Sequence, residues 1–215
     1  MGEEAQDVAG PVPRWLVVLV ISLAVSVVAT GAVAFTIMGA GDRYASPAER
    51  SIEVLSAALA QDPTDTQARL ALGYAYQQAG QFKAAVSEYD SVLEGRPDEL
   101  AALYNRGLCL IELSQTDEGE DALRQTLAAH PGHALAARAL SVRLMEREEW
   151  AELAEILLPV LEADPGAADL QALLGRAYEE LGDTKRARER YELGLTYYPE
   201  MTEALEGLQR LEVTP

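Results

Sequence analysis

Few residues of this 215-residue chain have types and spacings that could do chemistry. His130 and His133 stand three apart in "AHPGHAL", close enough for two imidazoles to reach one metal ion. A zinc site needs further ligands, and no third residue has a suitable spacing. The pair also falls in a turn between helices, where surface residues are the rule. "DEGED", residues 117–121, gathers four acids that could attract a cation, but without the alternating ligand pattern of a calcium loop. It opens a helix, where acids are favoured by the macrodipole, so a solvated helix start is expected. The single cysteine, Cys109, has no internal disulfide partner. No phosphate loop, nucleophile elbow, HExxH or CxxC occurs in the chain. No catalytic residue, metal or cofactor is expected, and the chain does not read as an enzyme.

The elements that carry these residues are set out by prolines. Pro63, Pro97, Pro131, Pro165 and Pro199 follow one another at steps of 34 residues. Each closes a short apolar helical stretch: "ALAQDP", "VLEGRP", "TLAAHP", "VLEADP" and "GLTYYP". Proline disfavours helical geometry in the residue before it, so each marks a helix end. Four full units, residues 66–99, 100–133, 134–167 and 168–201, then align on one another. Gly73, Gly107, Ser141 and Gly175 coincide, as do Tyr76, Leu110, Leu144 and Tyr178. Further on, Ala85, Gly119, Leu153 and Ala187 coincide, and so do Tyr89, Leu123, Leu157 and Tyr191.

This pattern resembles the tetratricopeptide repeat (TPR) family, whose unit reads W-x2-L-G-x2-Y, then A-x3-F, then P over 34 residues. The first and fourth units match best, with "LGYAY…AAVSEY…P" and "LGRAY…ARERY…P". The leading tryptophan is missing throughout: Arg69, Leu103, Ala137 and Gln171 take its place. The third unit is degenerate, with Ser141 and Leu153 at the two small positions, so its helices are expected to pack less closely. The resemblance implies an all-α solenoid of helix pairs in which Gly73 and Ala85 face each other and let two backbones approach. Gly80 is expected in the turn, where its freedom at positive φ is useful. Residues 47–65 read as an N-terminal capping helix and 202–215 as a C-terminal capping helix and tail, as the ends of a repeat array require.

By the same resemblance, the first helices of the units line a concave groove that holds a peptide or helix of a partner. Its stripe would run Gln67, Leu70, Tyr74 and Gln77, then Ala101, Tyr104, Leu108 and Ile111. It continues through Leu135, Arg138, Val142 and Met145 to Asp169, Ala172, Arg176 and Glu179. Helical spacing independently puts each set on one face. The middle of the stripe is apolar, and an exposed apolar patch usually marks a binding site. Its shape suits an amphipathic helix or an apolar peptide. The lysine and asparagine set with which some TPR domains grip chaperone C-termini is missing, since Leu70, Tyr74, Tyr104 and Leu108 occupy those places.

Residues 15–38, "WLVVLVISLAVSVVATGAVAFTIM", contain no charge and would make a helix roughly 36 Å long, enough for the ~30 Å hydrocarbon core. This segment reads as a single transmembrane helix behind a tail, residues 1–14, and before a linker, residues 39–46. Ser22, Ser26, Thr30 and Ala34 form a small-residue face on which two spans could pair as a homodimer. From Tyr44 onward the chain has 15 Lys/Arg against 31 Asp/Glu, a net charge of −16. That balance speaks against nucleic acid and against an anionic membrane surface. It serves solubility first, and a preference for basic partners second.

The layout is similar to bacterial envelope proteins with TPR arrays, namely subunits of cytochrome c maturation and ancillary chaperones of the Sec translocon. That similarity implies a chaperone-like assembly factor with its TPR domain outside the cytoplasm. Arg14 on one side of the span and Arg43 and Arg50 on the other leave the positive-inside rule nearly balanced. A cytoplasm-facing recruitment scaffold and a self-assembling structural protein stay open as alternatives.

Overall fold

The computed structural model describes residues 46–213, which form ten α-helices. The expected span, its small-residue face and the tail before it lie outside the described residues, as does the linker up to residue 45. Among the described residues no helix is long and apolar enough to cross a membrane. The helices are α1 (Pro47–Gln61), α2 (Thr66–Gln78), α3 (Phe82–Gly95), α4 (Leu100–Glu112) and α5 (Thr116–Ala129). They continue as α6 (Ala134–Glu146), α7 (Trp150–Ala163), α8 (Ala168–Glu180), α9 (Thr184–Tyr197) and α10 (Thr202–Val213). Each packs chiefly against its neighbours in sequence.

The prolines end the helices as their chemistry requires. Arg96, His130, Asp164 and Tyr198, each directly before a proline, are extended, with φ of −140°, −142°, −134° and −136°. A following pyrrolidine ring disfavours the helical region for that residue, so the helix stops one position earlier. Pro159 is the exception, standing inside α7. There Leu157, Val160 and Leu161 are buried and hold the helix through the missing hydrogen bond.

Helix starts use varied caps. Asp65 accepts from the Ala68 N–H at 2.9 Å and Asp183 from the Arg186 N–H at 2.9 Å. At the start of α6 the cap is His133, whose Nδ1 accepts from the Ala136 N–H at 3.1 Å. Side chains of this kind satisfy amide donors that a first helical turn leaves unpaired. The turns inside the four units share one left-handed residue: Gly80 (φ +71°), Ser114 (+62°), Glu148 (+59°) and Gly182 (+79°). Gly80 therefore does what the sequence implies, while two units put a side chain where glycine is favoured.

At Gly73 the closest approach is that of a side chain. What Gly73 makes room for is the ring of Tyr89: a Cβ on Gly73 would lie 2.7 Å from Tyr89 Cε1. In the fourth unit Gly175 does the same for Tyr191, with 2.7 Å to Cδ1. Backbones do approach in the second unit, where Leu123 replaces the tyrosine. A Cβ on Gly107 would meet the Gly119 carbonyl oxygen at 3.0 Å, and one on Gly119 would meet that of Gly107 at 2.8 Å. In the third unit Ser141 and Leu153 stand at the paired small positions, and α6 and α7 approach each other less closely than the helices of the other units. Ser141 is fully buried and satisfies its hydroxyl on the Ala137 carbonyl oxygen at 2.7 Å.

The apolar interior has no single centre. Leu123, Leu140, Leu144, Leu153, Leu157, Leu170 and Leu174 belong to the largest cluster, which runs from α5 to α10. A second cluster is built on Ala85, Tyr89, Val92 and Cys109, and a third, on Leu59, Ala68 and Leu72, sits under α1. Such a string of local cores is what stacked units produce, each burying a face its neighbour completes.

Candidate functional site

The inner helices α2, α4, α6, α8 and α10 carry the stripe expected to meet a partner. Tyr74, Leu135 and Val142 stand out on it, at 53%, 56% and 49% exposure. Burying such side chains removes apolar surface from water, at about 25 cal/mol per Å², so their exposure leaves stabilisation available to a partner. Gln67 and Arg176 are also exposed, while Leu70, Gln77, Tyr104, Leu108, Ile111, Arg138 and Met145 are half-buried.

Several of the half-buried residues already serve the fold. Tyr104, Ile111 and Met145 pack against the largest core cluster and Leu70 against the second. Gln77 accepts a hydrogen bond from the Tyr89 hydroxyl at 3.0 Å. The Tyr104 ring rests 5.2 Å from that of His133, centroid to centroid. Ala101 is exposed and Ala172 buried.

Charges on the stripe are tied between units. Arg138 of α6 donates to Asp169 of α8 through Nε at 2.5 Å and Nη2 at 2.9 Å. Arg210 of α10 donates to Glu179 of α8 in the same two-pronged way, at 2.7 and 2.9 Å. Each guanidinium holds its carboxylate below the usual carboxyl range. The Tyr191 hydroxyl adds a donor to Glu179 at 2.6 Å. Arg176 lies 5.8 Å from the centroid of the Trp150 ring and 3.9 Å from Glu180.

At the C-terminal end, α6, α8 and α10 enclose a cleft of about 400 Å³. Its wall includes Met145, Ala172, Leu173 and Met201, and its rim Asp169, Arg176, Glu203, Glu206 and Arg210. The last helix was expected only as a cap. One more step of 34 residues from Asp169, Ala172 and Arg176 arrives at Glu203, Glu206 and Arg210, so the repeat period already held this extension of the stripe.

The residues considered for metal chemistry have structural places. His130 is exposed at the end of α5, His133 caps α6, and among the described residues no group of three or more His, Cys, Asp and Glu could hold a metal ion. Burial, with His130 adding to it, lowers the His133 imidazole below its ordinary pKa. The acids of 117–121 correct the expectation of a solvated helix start in part. Glu120 is 1% exposed, and its Oε2 accepts from Arg147 Nη1 at 2.8 Å. Arg147 also reaches Asp117 at 3.1 Å and so ties α5 to the end of α6. Cys109 is fully buried, which pushes its thiol up to about 11.

Comparison with known proteins agrees with this architecture. The family model described as anaphase-promoting complex, cyclosome, subunit 3 matches residues 48–126, and the model described as tetratricopeptide repeat matches residues 168–201. Superkiller protein 3 of Saccharomyces cerevisiae is 28% identical over 91 residues, which are 42% of this chain and 6% of that protein. The BBSome complex member BBS4 of Bos taurus is 28% identical over 120 residues, 56% of this chain and 23% of that one. The chain thus spans less than a quarter of the length of either relative.

Among solved structures, MamA superimposes with a TM-score of 0.61 at 20% identity, covering 78% of this chain and 92% of its own. YrrB, described as a TPR protein with an unusual peptide-binding site, gives 0.59 at 21% identity, with coverage of 75% and 84%. At these identities the likeness is one of fold. Taken with the helix pairs at 34-residue steps, these matches support the tetratricopeptide-repeat family for the helical array of this chain.

Proposed function

We propose that the chain is a membrane-anchored, non-enzymatic protein-interaction module that holds a peptide or amphipathic helix of a partner along its inner helices. A TPR-type interaction module is supported by the family models and by the fold shared with a peptide-binding TPR protein. The single observation that carries the site is the exposure of Tyr74, Leu135 and Val142 on helices that also present Tyr104 and Leu108. Five large apolar side chains on one face of consecutive inner helices are more than scattered surface residues would give. The C-terminal cleft beside Met145 and Arg176 extends that surface and is large enough for one or two side chains.

In this reading residues 15–38 anchor the array, which faces the outside of the cytoplasmic membrane and acts there as a chaperone-like assembly factor for other envelope proteins. The support is the uncharged run of that segment and the similarity of layout to cytochrome c maturation and translocon-associated TPR proteins.

The test is photo-crosslinking from the inner-helix stripe in the membrane. A photoreactive residue at position 108 or 142 is expected to capture a discrete partner, and one at exposed position 87, in α3, is expected not to. Tyr104→Ala with Leu108→Ala should reduce capture from position 142 at least fivefold at unchanged helicity. Capture that is the same from both faces would end the reading. Protease digestion of a C-terminal tag in spheroplasts checks the side of the membrane, and protection until lysis would place the array in the cytoplasm.

A further inference from the structure

Three consecutive inner helices end on glutamate: Glu112 in α4, Glu146 in α6 and Glu180 in α8, at steps of 34 residues. All three are exposed. An acid at the last position of a helix is placed against the macrodipole, which favours cations there. Neither α4 nor α8 has a basic residue in its last turn to offset it. Position 78, the equivalent in α2, is the neutral Gln78. Each glutamate follows a stripe residue by four positions, Leu108, Val142 and Arg176, and so lies beside it on the same helix surface.

The basic residues near this ladder are already engaged. Arg138 is held by Asp169 and Arg210 by Glu179, each through two hydrogen bonds. Arg143 pairs with Glu146, and Arg176 divides its charge between Glu180 and the Trp150 ring. Glu203 and Glu206 add two more acids at the cleft where the stripe ends. The face therefore presents an apolar centre, Tyr104, Leu108, Leu135 and Val142, beside a row of exposed carboxylates, of which Glu146 is shared with Arg143 and Glu180 lies 3.9 Å from Arg176.

We propose that the occupant of the inner-helix face is a cationic amphipathic segment of a partner protein. Its apolar side chains lie on Leu108, Leu135 and Val142, and its lysines or arginines face Glu112, Glu146 and Glu180. This rests on the reading of the inner helices as the binding face and adds the chemistry of what binds. Charge complementarity of this kind selects partners and speeds encounter. It also disfavours acidic segments and a second copy of this strongly acidic chain.

The experiment uses the full chain in nanodiscs of zwitterionic lipid and two labelled 18-residue peptides with the same leucine face. One carries lysines beside that face and the other glutamates, and binding to empty discs is subtracted. The lysine peptide should bind at least tenfold more tightly than the glutamate peptide at 50 mM salt, with the difference shrinking at 500 mM as charges are screened. E112K/E146K/E180K should weaken the lysine peptide at least tenfold. Its melting temperature should change little, since lysine suits a helix C-terminus while the exposed Arg143–Glu146 and Arg176–Glu180 pairs that it gives up are worth little.

Equal affinity for the two peptides, binding of neither, or a triple variant that binds as the parent does would each overturn the proposal. Leu108→Ala with Val142→Ala separates this from the reading beneath it. If that variant loses peptide while the triple variant does not, the face binds by apolar contact alone. If neither variant changes binding, the inner-helix face itself is excluded.

Discussion

Tyr191 lies across Gly175, with its hydroxyl on Glu179, so that one side chain joins both helices of the fourth unit. Its ring is 1% exposed and is covered on another side by Gly207 of α10. Tyr89 repeats the arrangement in the first unit over Gly73, with Gln77 as acceptor. In the two middle units leucines replace the tyrosines and the acceptor positions become Ile111 and Met145. A polar pair and an apolar pair thus exchange as units, because a buried hydroxyl without an acceptor would cost about 1–3 kcal/mol.

Gly175→Ala is therefore expected to destabilise the array despite alanine's better helix propensity. The new Cβ would stand 2.7 Å from a ring that has no room to move, and overpacking of this kind costs roughly 1–3 kcal/mol against a propensity gain of about 1. Gly175→Ser with Tyr191→Leu should lose less than the sum of the single changes, since the third unit carries Ser141 and Leu157 at those places. Urea unfolding of the four proteins as a double-mutant cycle measures the coupling. Strict additivity would count against the ring contact.

The four left-handed turn residues give an internal comparison. Ser114→Gly and Glu148→Gly should each stabilise by about 0.5–1 kcal/mol, because a left-handed L-residue costs roughly 1–2 kcal/mol and glycine returns part of that through the unfolded chain. Gly80→Ala and Gly182→Ala should destabilise by a similar amount. Thermal melts of the four variants settle the sign.

Arg147 donates the hydrogen bond to the buried Glu120 carboxylate, which Arg124 also approaches, at 3.5 Å. Arg147→Ala should cost about 1–3 kcal/mol, the penalty for a buried acceptor left without its donor. Adding Glu120→Met should recover most of that loss, because removing both charges avoids the desolvation that the pair offsets. A double variant no more stable than Arg147→Ala would mean that Glu120 contributes through contacts other than this pair.

His133 gives a pH dependence with a defined sign. Burial lowers its pKa in the folded state, so the unfolded chain takes up the proton first as pH falls. Its contribution is complete above the ordinary histidine pKa of about 6.5 and is lost as pH drops below it. Protonation also removes the Nδ1 acceptor that caps α6. His133→Asn keeps a cap that does not titrate and should flatten the stability curve between pH 7 and 5 relative to the parent. Identical slopes for the two proteins would rule the cap out as the titrating element.

Much of the fold was legible because prolines and glycines act locally. Pro97 biases Arg96 away from helical geometry by local sterics, and Gly80 marks a left-handed turn by its lack of a side chain. The same was not true of Ser114 and Glu148, which take that backbone geometry without being suited to it; only the period of 34 identifies them. Gly73 was legible as a close contact, but that the ring of Tyr89 lies directly over it was decided by packing, since spacing does not say which atoms fill a gap.

The candidate site divides in the same way. Spacing put Tyr74, Leu135 and Val142 on one face, because a helix repeats every 3.6 residues and a unit every 34. How far each emerges from that face was decided by packing: Ile111 and Met145 turn inward to fill the space over their units while Val142 stays half exposed. The ties of Arg138 to Asp169 and Arg210 to Glu179 each join residues 31 apart, a separation with no meaning along the chain until stacking brings inner helices side by side. Sequence by itself determined the units, their ends and their apolar faces, which depend on backbone chemistry and local period. Which charges are tied across units was decided only by tertiary structure, since it depends on distances between units that no local rule contains.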